Sequence, residues 1–342
     1  MRFLKTAAYA LVLAVIPFNR ARAAVPGSME QLKDETPSVV EPLPAAPAAP
    51  VGIVGTDVTA EYDAAFERAG TADAEAEKRL KAYKFILVPG LFSNLDKSKL
   101  PLAKKHPAEK PKPHFAEQIA WLKSFGAEYE MLSMKSESSV QVNAEIVSAA
   151  IKASDKPVMI VASSKGGLDT LEALVEEKEL TPKVRGIVMC QIPFLGTPVA
   201  DYVIRNRGLD TLLTRFLLHM GGSIDSMVNL TSADRKAYMA ANSAAITAII
   251  GAVPIISVAT WKDPDGDNPD TKLKPLRNAM LKQGLKNDGL VPVASAILPG
   301  TDYIKLPGLD HGATIKLTKN ISFDRARFAK AVFSMLLSRQ AR

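Results

Sequence analysis

Short apolar runs that alternate with amphipathic segments constrain the fold of this chain more than any other feature of its sequence. Apolar runs of this length are typical of strands that a parallel sheet buries on both faces. Five of them lie at residues 85–88, 158–161, 187–190, 255–258 and 303–306, and 128–132 is a further candidate strand. Helical spacing marks the segments 116–125, 140–151 and 168–180, and a last helix after Ser322. The alternation predicts an α/β fold, a mostly parallel sheet with helices on both faces.

The strand and helix signals begin near residue 81, which divides the chain into a main domain, 81–342, and a preceding segment, 24–80. Residues 35–55 are rich in Pro, Ala and Val, a composition typical of extended linkers, and the stretch up to residue 81 is predicted to be helical and peripheral. Two segments interrupt the alternation: a Lys- and Pro-rich insertion, 94–114, and a mostly helical insertion, 199–252. Connections of this length between strands usually carry function.

The first 23 residues have the pattern of a signal peptide. Arg2 and Lys5 form a basic start, residues 7–18 are apolar, and small residues precede Ala24. We therefore expect cleavage before Ala24 and export to the periplasm or the medium. Basic residues just before the cleavage position keep an uncleaved anchor or a buried helix open as alternatives.

The charge of the chain argues against a nucleic-acid partner. The formal charge is +7, but residues 1–23 hold four basic and no acidic residues, so it falls to +3 without them. The Lys-rich insertion 94–114 could contact an anionic membrane surface or wall polymer; a solvated loop is the alternative. A single cysteine, Cys190, permits no internal disulfide.

Residues 162–167, Ala-Ser-Ser-Lys-Gly-Gly, lie between a predicted strand and a predicted helix. A nucleophilic serine on a tight strand-to-helix turn needs small residues two positions before and after it. Ala162 and Gly166 stand in those positions around Ser164, whereas Ser163 would have bulkier neighbours. The pattern favours Ser164 as a nucleophile; the alternative is a Ser- and Gly-rich loop of a nucleotide-binding fold.

A serine nucleophile needs a general base, and the chain has four histidines. His106 and His114 precede the serine, and His219 falls within an apolar helical face. Only His311 follows the last predicted strand, where the order serine, acid, histidine requires the base. His311 is therefore the predicted base, and an ordinary histidine on a surface loop is the alternative.

The acid that orients the histidine should lie between Ser164 and His311. Asp288 is preferred, because the Asn-Asp-Gly turn at 287–289 can expose a carboxylate at the edge of the sheet. The other acidic residues in reach are Asp263, Asp265, Asp267, Asp270 and Asp310.

Two backbone N–H groups are candidates for an oxyanion hole. The N–H of Lys165 opens the helix that follows Ser164, and helix N-termini favour negative charge. The second donor is predicted in the loop after the first strong strand, where Gly90 allows a close approach and Leu91 offers its N–H.

With these motifs in order, the sequence resembles the α/β-hydrolase family, in its lipase and esterase branch. The matching segments are 88–92, 164–167, 196–202 and 287–291, followed by His311. The resemblance implies the α/β-hydrolase fold, Asp288 as the triad acid 23 positions before His311, and a helical lid or cap formed by residues 199–252.

The sequence also departs from the bacterial lipases that it resembles. Many of them carry a disulfide, which one cysteine cannot form, and bind calcium through an aspartate where this chain has Ala313. The acidic loop 263–270 could hold a cation through oxygen ligands, but a solvated turn is favoured. No metal and no organic cofactor is expected.

These observations predict a serine esterase or lipase whose substrate is a small-molecule or lipid ester. An amidase or a thioesterase with the same three residues is an alternative, because the acyl-enzyme step is shared. A non-catalytic binding protein on the same scaffold is another, since fold does not fix function.

Overall fold

The computed structural model describes residues 55–70, 73–93, 113–135, 137–206, 222–264, 273–317 and 322–340, with the single positions 208, 210, 211, 214 and 217. Several predictions concern residues outside this set: the signal peptide 1–23, the linker up to residue 54, and residues 94–112 of the Lys-rich insertion. Residues 265–270 of the acidic loop also lie outside it.

Seven strands form one sheet in which all paired neighbours are parallel. The strand order across the sheet is β1-β7-β6-β5-β4-β2-β3. The strands are β1 (Thr56–Asp57), β2 (Lys84–Val88), β3 (Glu128–Met131), β4 (Val158–Ser163), β5 (Val184–Cys190), β6 (Ile255–Trp261) and β7 (Asp302–Pro307).

Helices connect the strands. They are α1 (Thr59–Arg68), α2 (Ala74–Leu80), α3 (Ala116–Ser124), α4 (Val140–Lys152), α5 (Lys165–Glu176), α6 (Pro198–Arg205), α7 (Asp225–Val228), α8 (Ser232–Ala241), α9 (Ser243–Ala252), α10 (Lys274–Leu281) and α11 (Arg325–Gln340). Among the described residues, no helix has the length and apolar character needed to cross a membrane.

The helix expected over 168–180 is divided in two. Helix α5 starts at Lys165, directly after the turn that carries Ser164, and ends at Glu176. Glu177 leaves helical geometry, with φ −118° and ψ 76°, and a short 3₁₀ helix, Lys178–Lys183, follows. Apolar spacing alone does not detect such a break, because Leu180, which lies after it, is buried like the apolar residues of α5 before it.

The core has two parts, one on each face of the sheet. In β2, Ile86 and Val88 join the part beneath α4 and α5. Phe85 and Leu87 join the part beneath α1, α3 and α11. Successive side chains of a strand point to opposite faces, so both faces of this strand are covered. This arrangement confirms the predicted parallel α/β architecture.

Residues before position 81 contribute to this body. Strand β1 pairs with β7, with Thr56 opposite Asp302 and Asp57 opposite Tyr303. Helix α1 packs against α11, and Tyr62 and Ala65 are buried there. The segment from 56 to 68 therefore extends the sheet and its covering layer.

The described part of the insertion 199–252 also packs on the body. Ile246 and Ile249 of α9 are buried in the core part that contains α5, as are Leu217 and Leu230. A lid over residues 199–252 is not confirmed. Leu209, Leu212, Leu213 and Phe216, which fall at helical spacing in this insertion, lie outside the described residues.

Candidate active site

Ser164 occupies a sharp turn between β4 and α5. Its backbone has φ 51° and ψ −133°, a conformation that non-glycine residues adopt only when the surroundings impose it. Its N–H donates to the carbonyl of Cys190 on the neighbouring strand at 3.0 Å, and its own carbonyl accepts from Gly167 N–H at 3.0 Å. The turn thus fixes the serine at the carboxyl edge of the sheet.

Glycines around the turn are required by space. A methyl group at Gly166 would lie 2.6 Å from the carbonyl oxygens of Val88 and Pro89, and one at Gly90 would lie 2.8 Å from Cβ of Ser164. Such distances are shorter than any real carbon contact. The turn and the loop after β2 therefore approach each other as closely as backbones can.

His311 reaches Ser164 from the loop after β7. Its Nε2 is 3.0 Å from Ser164 Oγ, and its Nδ1 is 2.9 Å from Asp288 Oδ2. A carboxylate only accepts hydrogen bonds, so Nδ1 carries the proton and Nε2 presents its lone pair to the serine hydroxyl. This is the tautomer that a general base needs.

Asp288 is held by the turn in which it lies. The N–H groups of Leu290 and Val291 donate to its Oδ1 at 3.0 and 2.7 Å, which leaves Oδ2 for the imidazole. The carbonyl of Asp288 accepts from the N–H of His311 at 2.8 Å, so the two loops are joined through backbone and side chain. The carboxylate itself is buried.

The structure therefore brings Ser164, Asp288 and His311 together. Of the competing acids, Asp263 accepts from the indole of Trp261 at 3.2 Å, and Asp265, Asp267 and Asp270 lie outside the described residues, as do His106 and His219. The Cys190 thiol is fully buried, and burial raises its pKa to about 12.

The two predicted oxyanion donors, the N–H groups of Leu91 and Lys165, lie where the loop after β2 closely approaches the serine turn. Gly90 faces Ser164, and a methyl group there would lie 3.4 Å from the backbone nitrogen of Lys165. Leu91 is the next residue of that loop. The loop after β2 and the first turn of α5 thus meet beside the nucleophile, although the role of the two N–H groups stays a prediction.

The side chain of Lys165 forms a buried ion pair that the sequence analysis did not anticipate. Its Nζ lies 2.7 Å from Asp169 Oδ1, and both side chains are almost fully buried. Burial raises the pKa of Asp169 to about 7, against the attraction of the lysine, and burial lowers the pKa of Lys165. In the sequence, the spacing of four residues between Lys165 and Asp169 on a predicted helix could have indicated this pair.

The Gly-Thr-Pro segment at 196–198 supports the acid loop. The hydroxyl of Thr197 donates to the carbonyl of Leu290, two residues after Asp288. The carboxylate of Asp201 accepts from the N–H and hydroxyl of Ser232 at 2.8 and 2.6 Å, at the start of α8. The N–H of Thr197 donates to the carbonyl of Leu230, inside the insertion 199–252, at 3.0 Å. The 196–198 segment therefore ties the insertion to the acid loop.

Sequence reasoning also missed Gln191. Its buried amide hydrogen-bonds the residues on both sides of His311. The available signal was its position directly after β5, since side chains at the carboxyl ends of parallel strands gather at one edge.

Within the described ranges, no cluster of three or more His, Cys, Asp or Glu side chains could hold a metal ion. Ala313 is fully buried.

Comparison of the structure with solved structures identifies the fold. A metagenomic carboxyl esterase matches with a TM-score of 0.61 and 21% identity over 76% of each chain. The mature form of a Bacillus licheniformis lipase matches with a TM-score of 0.54 and 19% identity, over 75% of this chain and 91% of the lipase. The chain has the α/β-hydrolase fold, as the motifs predicted.

No family model and no curated protein matches the chain in sequence.

Proposed function

We propose that the chain is an exported serine hydrolase that cleaves carboxylic esters. The observation that carries the proposal is the hydrogen-bonded series from Ser164 Oγ through the ring of His311 to Asp288 Oδ2. A serine alcohol is a weak nucleophile unless a base takes its proton, and this series supplies that base in the required tautomer. The structural neighbours described as an esterase and a lipase support the same class.

In the first half of the proposed reaction, Ser164 Oγ attacks the acyl carbon of an ester while His311 Nε2 takes the hydroxyl proton. Asp288 stabilises the imidazolium that forms. The N–H groups of Leu91 and Lys165 donate to the tetrahedral oxyanion. When the oxyanion collapses, the C–O bond to the alcohol breaks, and His311 returns its proton to the leaving oxygen.

In the second half, water replaces the alcohol. His311 Nε2 takes a proton from water, the hydroxide attacks the acyl-enzyme, and the bond to Ser164 Oγ breaks as the proton returns to the serine. The products are the carboxylic acid and the free enzyme. Each step uses a group of this chain that lies beside the serine or is predicted to do so.

The substrate is proposed to be a small-molecule or lipid ester. The proposed export relies on residues 1–23 alone. Two further features stay predictions from the sequence: a lid formed by residues 199–252, and a contact between residues 94–114 and an anionic surface. An amidase or a thioesterase would use the same groups, so the test must compare leaving groups.

A hydrolysis screen tests the proposal. Acyl esters of short to long chain are offered with amide and thioester controls, to the wild type, to Ser164→Ala and to the matched variant Ser163→Ala. We expect ester hydrolysis that Ser164→Ala lowers on the order of 10⁶-fold in kcat, and that Ser163→Ala largely keeps. Ester hydrolysis that survives in Ser164→Ala would reject Ser164 as the nucleophile.

A further inference from the structure

Gln191 has a backbone conformation that a residue with a side chain rarely adopts. It follows β5 directly, at the carboxyl edge of the sheet, and its φ is +60°. Its N–H donates to the carbonyl of Val258 on β6 at 2.8 Å, and its side chain is fully buried. Glycine is the residue favoured at such a φ, so a buried glutamine there indicates that the side chain is needed.

Both ends of the Gln191 amide bind the loop that carries His311. The Nε2 group donates to the carbonyl of Asp310 at 3.0 Å and to the hydroxyl of Thr260. The Oε1 atom accepts from the N–H of Gly312 at 2.8 Å and from the hydroxyl of Thr314 at 3.3 Å. The orientation of the amide is unambiguous, because a carbonyl only accepts and a backbone N–H only donates.

The same end of β5 also holds the nucleophile. The carbonyl of Cys190 accepts the N–H of Ser164 at 3.0 Å. Cys190 and Gln191, which are consecutive, thus connect the serine turn to the histidine loop. The two backbone atoms that Gln191 binds lie in the residues directly before and after His311, so the amide limits how the imidazole can shift or tilt.

We infer that Gln191 is a positioning residue that fixes the His311 ring between Ser164 and Asp288. It touches no reacting atom and acts through the histidine loop. The inference relies on the proposed function for its kinetic consequence. Its geometric consequence, a fixed imidazole in contact with Asp288, does not depend on what the chain hydrolyses.

Three variants separate positioning from general stability. Gln191→Met keeps the length of the side chain and removes its hydrogen bonds. Gln191→Gly accepts the positive φ without strain, so it retains the backbone even if the Met variant fails to fold. Ser257→Ala is the matched control. The Ser257 side chain, on β6, is equally buried, and its hydroxyl hydrogen-bonds the Thr301 hydroxyl and the N–H of Leu298 in the turn at 298–301.

The kinetic readout is the split between kcat and KM on an ester that the wild type cleaves. Both Gln191 variants should lose on the order of 10²-fold in kcat, because a small misplacement of a catalytic group costs about that much. KM should change little, since the substrate does not touch Gln191. Ser257→Ala should keep its kcat. A kcat within about twofold of wild type in both Gln191 variants, or an equal loss in Ser257→Ala, would overturn the inference.

The second readout is independent of activity. The Nδ1 proton of His311, bonded to Asp288, should give a downfield proton resonance in wild type, assigned by its loss in His311→Gln. We expect it to broaden or disappear in both Gln191 variants and to persist in Ser257→Ala. A resonance unchanged in both Gln191 variants, whatever their kcat, would overturn the inference. If wild type hydrolyses no substrate, the proposed function fails, and the resonance still decides the role of Gln191.

Discussion

The nucleophile turn and the loops that carry the acid and the base are held in different ways. Ser164 lies between a strand and a helix, against backbone that leaves no room for a methyl group at Gly90 or Gly166. Asp288 and His311 lie on irregular loops, and hydrogen bonds within the acid loop and between the two loops hold them. Shape fixes one half of the site and directional polar contacts fix the other.

This difference predicts opposite sensitivities. Close packing resists any increase in volume but does not depend on charge or protonation. Hydrogen-bonded loops tolerate changes in volume where space is open, but they fail when a donor or an acceptor is exchanged. Substitutions that change only one of these properties can therefore break or sharpen the comparison.

Among the substitutions that test this comparison, Asp288→Asn should have the largest effect. The amide oxygen can still accept from Leu290 and Val291, but the NH₂ group then faces His311 Nδ1 and favours the wrong tautomer. We expect a loss on the order of 10⁴ in kcat, with a melting temperature close to that of wild type. The measurement is kcat on an ester substrate together with thermal unfolding.

Asp263→Asn is the control for this variant, because Asp263 lies after β6 and bonds Trp261. It should retain full activity. Near-normal activity in Asp288→Asn with a crippled Asp263→Asn would show that the acid lies directly after β6.

A smaller effect is expected when glycine is replaced by alanine on each side of the site, at Gly166 in the serine turn and at Gly312 in the histidine loop. Gly166 lies in α5, where alanine would ordinarily stabilise the helix by about 1 kcal/mol, but its new methyl group would meet the carbonyls of Val88 and Pro89. Gly166→Ala should therefore destabilise the protein by about 1–3 kcal/mol and lower kcat.

Gly312, beside His311, has φ +80° and no atom within 4 Å of an added methyl group. Gly312→Ala should lose only about 1 kcal/mol, from backbone strain. Denaturant unfolding of both variants makes the comparison. A Gly166→Ala protein as stable as wild type would show that the serine turn is not held by close packing.

Sequence patterns predicted the parts of this structure that depend on neighbours along the chain. The strands follow from short apolar runs, and the serine turn follows from the small residues at 162 and 166. Helix bounds were predicted less accurately, since no apolar pattern marks the break at Glu177 that ends α5.

The contacts made by Gln191 were not predictable in the same way. They join positions about 120 residues apart, between a strand end and a loop. Nothing adjacent to Gln191 in sequence indicates which loop packs against it. The Lys165–Asp169 pair lies within one helical turn, but whether such a pair is buried depends on the fold around it.

Labelling with a fluorophosphonate probe, followed by mass spectrometry of the modified peptide, tests the central claim most directly. The probe reacts only with a serine that a nearby base has activated. The account predicts one adduct, on Ser164, that is absent in Ser164→Ala and strongly reduced in His311→Gln, while Ser163→Ala is labelled like wild type. An adduct on Ser163, or a folded wild-type protein that takes no label, would contradict it.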